Sequence, residues 1–262
     1  MITIPSESKI IKHLKQIVFG NRMKCLACRS RRLLWYARER RWFCRRCRKK
    51  FSLKSVSWLR NTKLTYSQLW HLLKCWQTKL SVQQTMTEAG LSERSVRSWY
   101  GKFRSNLPRL KLYLKGEVEI DEMYFGHKAG VIGALERKSG QPMLWKPPER
   151  PDKHFIHIFM DSVIHPDSHI FTDKSPAYFE VGKAWGFRKH SSENHSRFEF
   201  GKTSRIEGIW GLFRTFIRRM YHHIWIKHAS KYVTEFNTRY CHRELFVNPL
   251  NYLKKCLSAV PA

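Results

Sequence analysis

Apolar residues follow two different periods along the chain, and the change of period separates a helical part from a strand-rich part. Between residues 65 and 104 they recur every three to four positions, as on one face of an amphipathic helix. From residue 117 the period becomes two, as on a strand with one buried face. We therefore expect helices at 65–77, 81–89 and 92–104, followed by a strand meander at 117–126, 131–140 and 142–145.

The remaining segments extend this mixed pattern. Residues 152–164 fit both periods, and their length favours a helix that begins near Asp152. A strand is expected at 168–173, and from Ile206 onwards the pattern is helical. Residues 1–20 predict an amphipathic helix at the N-terminus. The sequence thus predicts an α+β protein with several parts.

The last two helices of the first group have the form of a helix-turn-helix. Gly90 provides the turn, and the second helix opens on Ser92, a favoured N-cap residue. This second helix would turn four polar side chains outward, as a reader of the DNA major groove does. They are Arg94, Arg97, Ser98 and Lys102. The same pattern also fits an ordinary helical bundle that links two domains.

Charge sharpens this picture. The chain of 262 residues has 50 Lys and Arg against 20 Asp and Glu, which gives a net charge of +30. Residues 1–115 hold 28 basic and 4 acidic residues, whereas residues 116–262 hold 22 and 16. A surplus of this size is typical of proteins that bind the phosphate backbone of nucleic acids. The alternative is a ribosomal protein or a merely solvated basic surface.

The sequence also limits where the protein acts. No run of about 20 apolar residues is present, so a membrane-spanning helix is excluded. The N-terminal segment lacks the continuous apolar core of a signal peptide. We therefore expect a cytoplasmic protein whose seven cysteines stay reduced.

Four of these cysteines form two C-x-x-C pairs separated by fifteen residues. They are Cys25, Cys28, Cys44 and Cys47. Two such pairs can supply four thiolates to one Zn²⁺ in tetrahedral geometry, and the segment between them suits a short hairpin. Because all four positions would be filled by protein ligands, the zinc would be structural. The other three cysteines lie in apolar helical contexts, which favours core packing.

Carboxylates are scarce in this basic chain, and three of them occupy unusual positions. Asp121 and Asp173 lie near or at the ends of predicted strands, where Asp is disfavoured, and Glu207 lies on a predicted helix. Three carboxylates on adjacent elements can bind two Mg²⁺ ions, because hard divalent cations prefer oxygen ligands. A metal would also relieve the repulsion between the acids and the DNA phosphates. Alternatively, Asp173 only caps a turn and Glu207 only pairs with Arg214.

The combined motifs resemble a known family. Two C-x-x-C pairs, a helix-turn-helix, EVEIDEMYFG, FTDKSPAY and SRIEGIWGLFR occur here in the order seen in DDE transposases of bacterial insertion sequences. The resemblance is to the zinc-ribbon group that is related to the eukaryotic Merlin transposases. It extends from about Met23 to Arg243, and its most specific parts are DEMYFG and IEGIW.

This resemblance implies an RNase H-like catalytic domain, in which helices flank a mixed sheet. Asp121 matches the first catalytic Asp on the first strand, and Asp173 matches the second at the end of the fourth strand. Glu207 matches the acid on the following helix. Arg214 stands where the family usually has a basic residue two turns later, and we expect it to act in catalysis by contacting DNA or the transition state. Residues 194–196 (Asn-His-Ser) match a recurrent stretch of open role.

The expected domains follow from both lines of reasoning. They are an N-terminal helix (1–20), a zinc ribbon (21–58), a helix-turn-helix DNA-binding domain (62–106), an RNase H-like catalytic domain (116–247) and a C-terminal tail (248–262). The chain departs from the family at two positions. Ser204 stands where an Asn often occurs, and Cys241 replaces the Asn of a C-terminal Arg-Tyr-Asn run.

The sequence therefore predicts a DNA transposase that binds the terminal inverted repeats of an insertion sequence. It would cleave DNA and transfer strands with two Mg²⁺ or Mn²⁺ ions, and it would join double-stranded transposon ends to target DNA as a homodimer or larger assembly. One alternative is a non-catalytic DNA-binding regulator. The other is an RNase H-like nuclease such as a junction resolvase.

Overall fold

The computed structural model describes residues 3–56, 58–110, 112–125, 129–173, 178, 189–193, 203–222 and 225–257. Its contacts divide the chain into two compact units. The first unit comprises Met1–Pro108 and Glu244–Ala262, and the second comprises Arg109–Arg243. None of the helices in the described residues combines the length and apolar character that crossing a membrane requires.

The first unit contains a small sheet and five helices among its described residues. The strands are β1 (Leu33–Tyr36), β2 (Arg41–Cys44) and β3 (Lys50–Phe51), antiparallel in that order. The helices are α1 (Glu7–Phe19), α2 (Tyr66–Gln77), α3 (Val82–Ala89), α4 (Glu93–Ser105) and, from the C-terminal segment, α8 (Pro249–Leu257). The hairpin between the cysteine pairs and the helices predicted at 65–77, 81–89 and 92–104 are confirmed.

Local sequence explains where helices α2 to α4 begin and end. Thr65, Ser81 and Ser92 each accept a hydrogen bond from a backbone N–H in the first turn of their helix. Gly90 ends α3 in the left-handed conformation, with φ of 63°, which a glycine adopts without strain. The expected turn between α3 and α4 is thus formed.

The segment after residue 247, expected as a tail, contributes α8 to the packing of the first unit. The buried Tyr252 hydroxyl donates to the carbonyl of Phe103 at 2.8 Å. The side chain of Gln77 donates to the carbonyls of Leu245 and Asn248. These bonds attach the C-terminal segment to helices α2 and α4.

The second unit is built on a five-stranded mixed sheet. Its strands are β4 (Glu117–Phe125), β5 (Ala129–Glu136), β6 (Gln141–Trp145), β7 (His169–Asp173) and β8 (Lys189–Glu193), in the spatial order β6-β5-β4-β7-β8. The first three strands form the predicted antiparallel meander, and β7 and β8 run parallel to β4. The helices are α5 (Lys153–Val163), α6 (Ser204–Tyr221) and α7 (Ala229–Cys241).

The two faces of β4 carry different chemistry. Val118 and Ile120 point into a hydrophobic cluster with Ile156 and Phe159 of α5, which confirms the helix expected at 152–164. Glu119 and Asp121 alternate with them and therefore face the opposite side, towards α6. One face of the central strand thus builds the core, and the other carries acids.

Strand β8 was not predicted, because its sequence KHSSE has no apolar residue to reveal a period. Polar pairs with β7 accompany its backbone pairing. The rings of His169 and His190 contact the hydroxyls of Ser191 and Thr172, each at 2.8 Å. Parallel pairing of polar residues across distant positions leaves no signal in the local sequence.

Helix α7 packs along the outer strand β6, and its Asn237 occupies the backbone of Leu144. Asn237 is buried and accepts from the N–H of Leu144 at 3.1 Å, while its amide donates to the carbonyl of Leu144 at 2.8 Å. It therefore occupies both backbone groups that Leu144 would offer to a further strand. Such capping protects a sheet edge from pairing with another chain.

We expect Asn237→Ala to lower the free energy of unfolding of the second unit by about 1–3 kcal/mol, because two buried backbone groups lose their partner. Urea denaturation measures this change. Thr234→Ala is the matched control on the same helix, since its exposed hydroxyl bonds only to the carbonyl of Ser230. An equal effect of both substitutions would contradict this role of Asn237.

Candidate active site

The register of two parallel strands places Asp121 and Asp173 side by side. Strands β4 and β7 pair at Glu119 and Phe171. Asp121 and Asp173 each follow this pair by two residues, so their side chains share the face of Glu119 and Phe171. The structure thus brings together two acids that are 52 positions apart in the chain.

Helix α6 lies over this face and carries the third acid. The indole Nε1 of Trp210 donates to Oδ2 of Asp121 at 2.8 Å. This approach requires Gly133, the neighbour of Asp121 on β5, because a Cβ there would lie 2.6 Å from Cη2 of Trp210. Glu207 precedes Trp210 by three residues, so it lies on the adjacent part of the same helix.

The charges of the other two acids act on Asp121. Burial raises the pKa of Asp121 above its usual value, and the charges of Asp173 and Glu207 raise it further, whereas the hydrogen bond from Trp210 opposes the rise. A divalent cation would offset both the burial and the repulsion. The donor set of three carboxylates is one that Mg²⁺ or Mn²⁺ prefers.

The three carboxylates form a looser group than the cysteines do. Within the described part of the chain, only the four cysteines bring at least three His, Cys, Asp or Glu ligand atoms within 4.8 Å of one another. Glu207 and Arg214 are both exposed on α6, and no ion pair joins these two described residues. The alternative in which Glu207 serves only as a partner of Arg214 therefore has no support.

Two acids of β4 were not singled out by the sequence analysis. Burial raises the pKa of Glu122 to about 8, and the charges of Asp121 and Asp173 contribute to this rise. The nearby buried hydroxyl of Tyr178 opposes this rise in the pKa of Glu122. The second acid, Glu119, is almost completely buried and is bonded to α6.

The four cysteines of the ribbon fit one zinc ion. Sγ of Cys25 lies 3.5 Å from Sγ of Cys47, and the same distance joins Cys28 and Cys44. Tetrahedral zinc with Zn–S bonds of about 2.3 Å requires sulfur separations of about 3.8 Å, which is close to this arrangement. All four are free thiols in the structure.

The backbone of the two cysteine pairs follows one repeated pattern. The N–H of Arg29 donates to the carbonyl of Cys25, and the N–H of Arg48 donates to the carbonyl of Cys44. Both arginines have positive φ, at 59° and 55°. Two equivalent turns thus present their thiols to a common centre, as in a structural zinc ribbon.

Helix α4 has the polarity expected of a DNA reader. Arg94, Arg97 and Ser98 are exposed and Lys102 is half-buried, whereas Val96, Trp99, Tyr100 and Phe103 are buried. Arg97 is paired with Glu93 at 2.6 Å on the surface. The predicted outward face is therefore formed, and its contact with DNA stays a prediction.

Each unit also has a basic cavity. In the first unit, a cavity of about 420 Å³ is lined by cations of the ribbon and the segment before α2. These are Arg40, Arg41, Lys50, Lys54 and Arg60, with Glu39 as the acid, paired to Lys50 at 2.7 Å. In the second unit, a cavity of about 540 Å³ at the start of β4 is lined by Lys115, Arg137, Lys138 and Arg205, with Glu117 as its acid.

Residues 194–196 lie outside the described residues.

A mixed sheet whose first strand is central, with acids on its first and fourth strands, matches the mixed-sheet transposase domain that the sequence predicted. Family models agree with this class. The ISXO2-like transposase domain matches residues 113–240, and the transposase zinc-ribbon domain matches residues 5–50. The chain belongs to this family of zinc-ribbon DDE transposases, and it is a DNA transposase.

Solved structures similar to this chain are distant viral integrases. The catalytic core domain of BIV integrase is 9% identical with a TM-score of 0.35, covering 48% of this chain and 82% of its own. A simian T-cell lymphotropic virus intasome, solved with the PP2A regulatory subunit B56 gamma, is 13% identical with a TM-score of 0.38, and the match covers 73% of this chain and 75% of that chain. The HTLV-2 integrase catalytic core domain with magnesium is 14% identical with a TM-score of 0.33, and the match covers 50% of this chain and 88% of that chain. These likenesses are too weak to carry an argument. No curated protein sequence matches the chain.

Loss of one thiolate tests the zinc centre. We expect Cys25→Ser to lose its zinc and to unfold the ribbon, because a module of this size depends on the metal for its stability. Metal analysis of the purified protein should give one zinc per chain for the wild type and much less for the variant. Cys241→Ser, in the second unit, is the control and should retain its zinc. Full zinc content in Cys25→Ser would refute the assignment.

Gly133→Ala tests the approach of Trp210 to Asp121. The added methyl group would clash with Trp210 and with Cδ2 of Leu144, at 2.6 and 2.8 Å, so we expect a loss of about 1–3 kcal/mol in the free energy of unfolding. DNA cleavage should fall as well, because the indole moves away from Asp121. Gly211→Ala is the control, since its Cβ would meet nothing within 4 Å. Equal stability of both variants would contradict the clash.

Proposed function

We propose that Asp121, Asp173 and Glu207 hold two Mg²⁺ or Mn²⁺ ions and that the chain catalyses cut-and-paste transposition. When bound, the ions would activate the attacking oxygen and stabilise charge on the leaving oxygen. The support is the β4–β7 register, in which the two aspartates lie side by side, together with the charge of Glu207, which raises the pKa of Asp121. A family whose members are transposases is consistent with this chemistry.

The reaction would proceed in two phosphoryl transfers without a covalent protein intermediate. A water oxygen attacks the phosphorus at the end of the element, and the bond to the 3′-oxygen breaks, which leaves a 3′-hydroxyl. This hydroxyl then attacks a phosphorus of target DNA and displaces a second 3′-oxygen. The three acids would hold the ions that align the reacting groups, so most of the catalysis would come from positioning and charge stabilisation.

The first unit would recognise the terminal inverted repeats. Its ribbon and the cavity lined by Arg40, Arg41 and Lys54 offer positive charge for backbone phosphates, which supplies affinity without sequence choice. Helix α4 would enter the major groove and read bases with Arg94, Arg97, Ser98 and Lys102. Zinc in the ribbon would have a structural role only.

The exposed Arg214 would contact DNA rather than metal. It lies seven residues, or about two helical turns, after Glu207, and it is directed to solvent from the same helix. A guanidinium there can bind a phosphate of the DNA that enters the site. Its removal would weaken binding at the second unit without touching the acids.

Double-stranded DNA of the element's ends and of the target would be the substrates. Joining two ends in one event needs two active sites, so we propose a homodimer or a larger synaptic assembly. Since the substrate is chromosomal, the protein would act in the bacterial cytoplasm at the nucleoid.

We expect Asp121→Asn to lower Mg²⁺-dependent cleavage by more than about 100-fold. Loss of a residue that only orients a metal ligand costs about 10- to 100-fold in activity, and loss of a ligand itself should cost more. The assay uses a duplex that carries the DNA flanking the coding sequence, and gel shift on the same duplex measures binding, which should persist. Asp161→Asn, an exposed acid on α5, is the control.

Three outcomes would contradict the proposal in different ways. Equal cleavage by Asp121→Asn and wild type would exclude the acid triad. Binding without any cleavage would favour a regulator. Cleavage of branched DNA regardless of sequence, with no joining of the 3′-hydroxyl to target DNA, would favour a resolvase.

A further inference from the structure

We propose that Glu119 is a positioning residue that fixes the helical acid Glu207 relative to the strand acids. This inference rests on the proposed function, since it assumes that Asp121, Asp173 and Glu207 bind metal together. Glu119 itself touches neither metal nor DNA in this role. It acts through the backbone of helix α6.

Both oxygens of Glu119 are engaged in a buried position. Its side chain is 1% exposed. Oε2 accepts from the backbone N–H groups of Arg205 and Ile206, each at 3.0 Å, and Oε1 accepts from Nε of Arg137 at 2.8 Å. A buried carboxylate with three donors is held far more rigidly than an exposed one.

Helix α6 needs this partner at its N-terminus. The first N–H groups of a helix have no acceptor within the helix, and Thr203 at the N-cap position makes no side-chain capping bond. Glu119 provides the missing acceptor from the neighbouring strand, and its negative charge suits the positive end of the helix dipole. The acceptor that caps the start of α6 is therefore a side chain of strand β4.

A second tie, the hydrogen bond from Trp210 to Asp121, fixes the position of α6 along β4. Ile206 and Trp210 are four residues apart, which is about 6 Å along a helix. Glu119 and Asp121 are two residues apart, which is about 6.6 Å along a strand. Because the two spacings nearly match, both bonds form at once and fix the helix against sliding along β4. Glu207 lies between the two ties.

Arg137 extends the network to the strand of the second aspartate. Its guanidinium lies 3.7 Å from the ring centroid of Phe171 while its Nε bonds to Glu119. Three members of the network each precede an acid by two residues, namely Glu119 before Asp121, Phe171 before Asp173 and Arg205 before Glu207. A fourth member, Ile206, precedes Glu207 by one residue. One buried cluster thus supports all three elements of the site.

The test compares two buried glutamates of the second unit. Glu119→Gln removes the charge beside Arg137 and places an amide where the network needs an acceptor. Glu235→Gln is the matched control, because Glu235 is also fully buried and accepts from Arg239 Nε at 2.9 Å and Tyr221 Oη at 2.7 Å. Both changes break a buried ion pair, which destabilises the fold. Glu119 is bonded to the backbone at the start of α6, next to Glu207, whereas Glu235 is bonded to the side chain of Tyr221 at the far end of that helix, fourteen residues from Glu207.

The measurement is single-turnover cleavage of the flanking-DNA duplex as a function of Mg²⁺ concentration, with the melting temperature of each variant. We expect Glu119→Gln to raise the Mg²⁺ concentration for half-maximal cleavage by about 10- to 100-fold, as for other residues that orient metal ligands. Glu235→Gln should lower the melting temperature and leave this midpoint unchanged. A merely structural role lowers the active fraction at every Mg²⁺ concentration without moving the midpoint.

An unshifted midpoint in Glu119→Gln, with an active wild type, overturns this inference and leaves the proposed function intact. A wild type without Mg²⁺-dependent cleavage, or Asp121→Asn that cuts as well as wild type, overturns the proposed function and this inference with it. If Glu119→Gln does not fold, Glu119→Asp replaces it, because it keeps the charge for Arg137 but is one methylene too short for both ties. A wild-type midpoint in Glu119→Asp would then overturn the inference.

Discussion

Mutual repulsion among carboxylates is the constraint on which the second unit depends. Burial raises the pKa of Asp121 and the charges of Asp173 and Glu207 raise it further, so flexible side chains alone would not keep the three acids together. The backbone provides the restraint. Asp121 and Asp173 are set by the parallel register of β4 and β7, and Trp210 bonds to one of them from α6.

The same constraint accounts for the uneven charge of the chain. The front part, residues 1–115, has 28 basic against 4 acidic residues, while the later part is nearly balanced. Phosphate binding can be spread over many cations, because each contributes independently through counterion release. Metal binding needs a few acids in one place, and these must be shielded from one another. Soft thiolates in the ribbon favour zinc, whereas hard carboxylates on the sheet would favour Mg²⁺, so ligand chemistry would keep the two ions apart.

Sequence reasoning succeeded where the signal was local. The period of two found β4 to β6, the helical period found α2 to α4, and the cysteine spacing found a cluster that the structure confirms. It failed where pairing between distant positions decides the structure. Strand β8 is polar throughout, and Glu119 looked like one more acid in EVEIDE until its bonds to Arg205 and Ile206 were visible. Gly133 likewise matters only because Trp210 packs against it.

Geometry explains why the cluster behind the site uses side chains on the strands and backbone on the helix. On a strand, the residue two positions before an acid shares its face, so Glu119 and Phe171 can meet Arg137 with their side chains. On a helix, two positions correspond to a rotation of about 200°, so the side chain of Arg205 points away from that of Glu207. The backbone N–H groups at the start of the helix face the strand and require an acceptor, while the Arg205 side chain donates to the carbonyl of Arg137. A buried carboxylate at position 119 meets that requirement, whereas an apolar residue there would leave the helix start unsatisfied and the third acid free to shift.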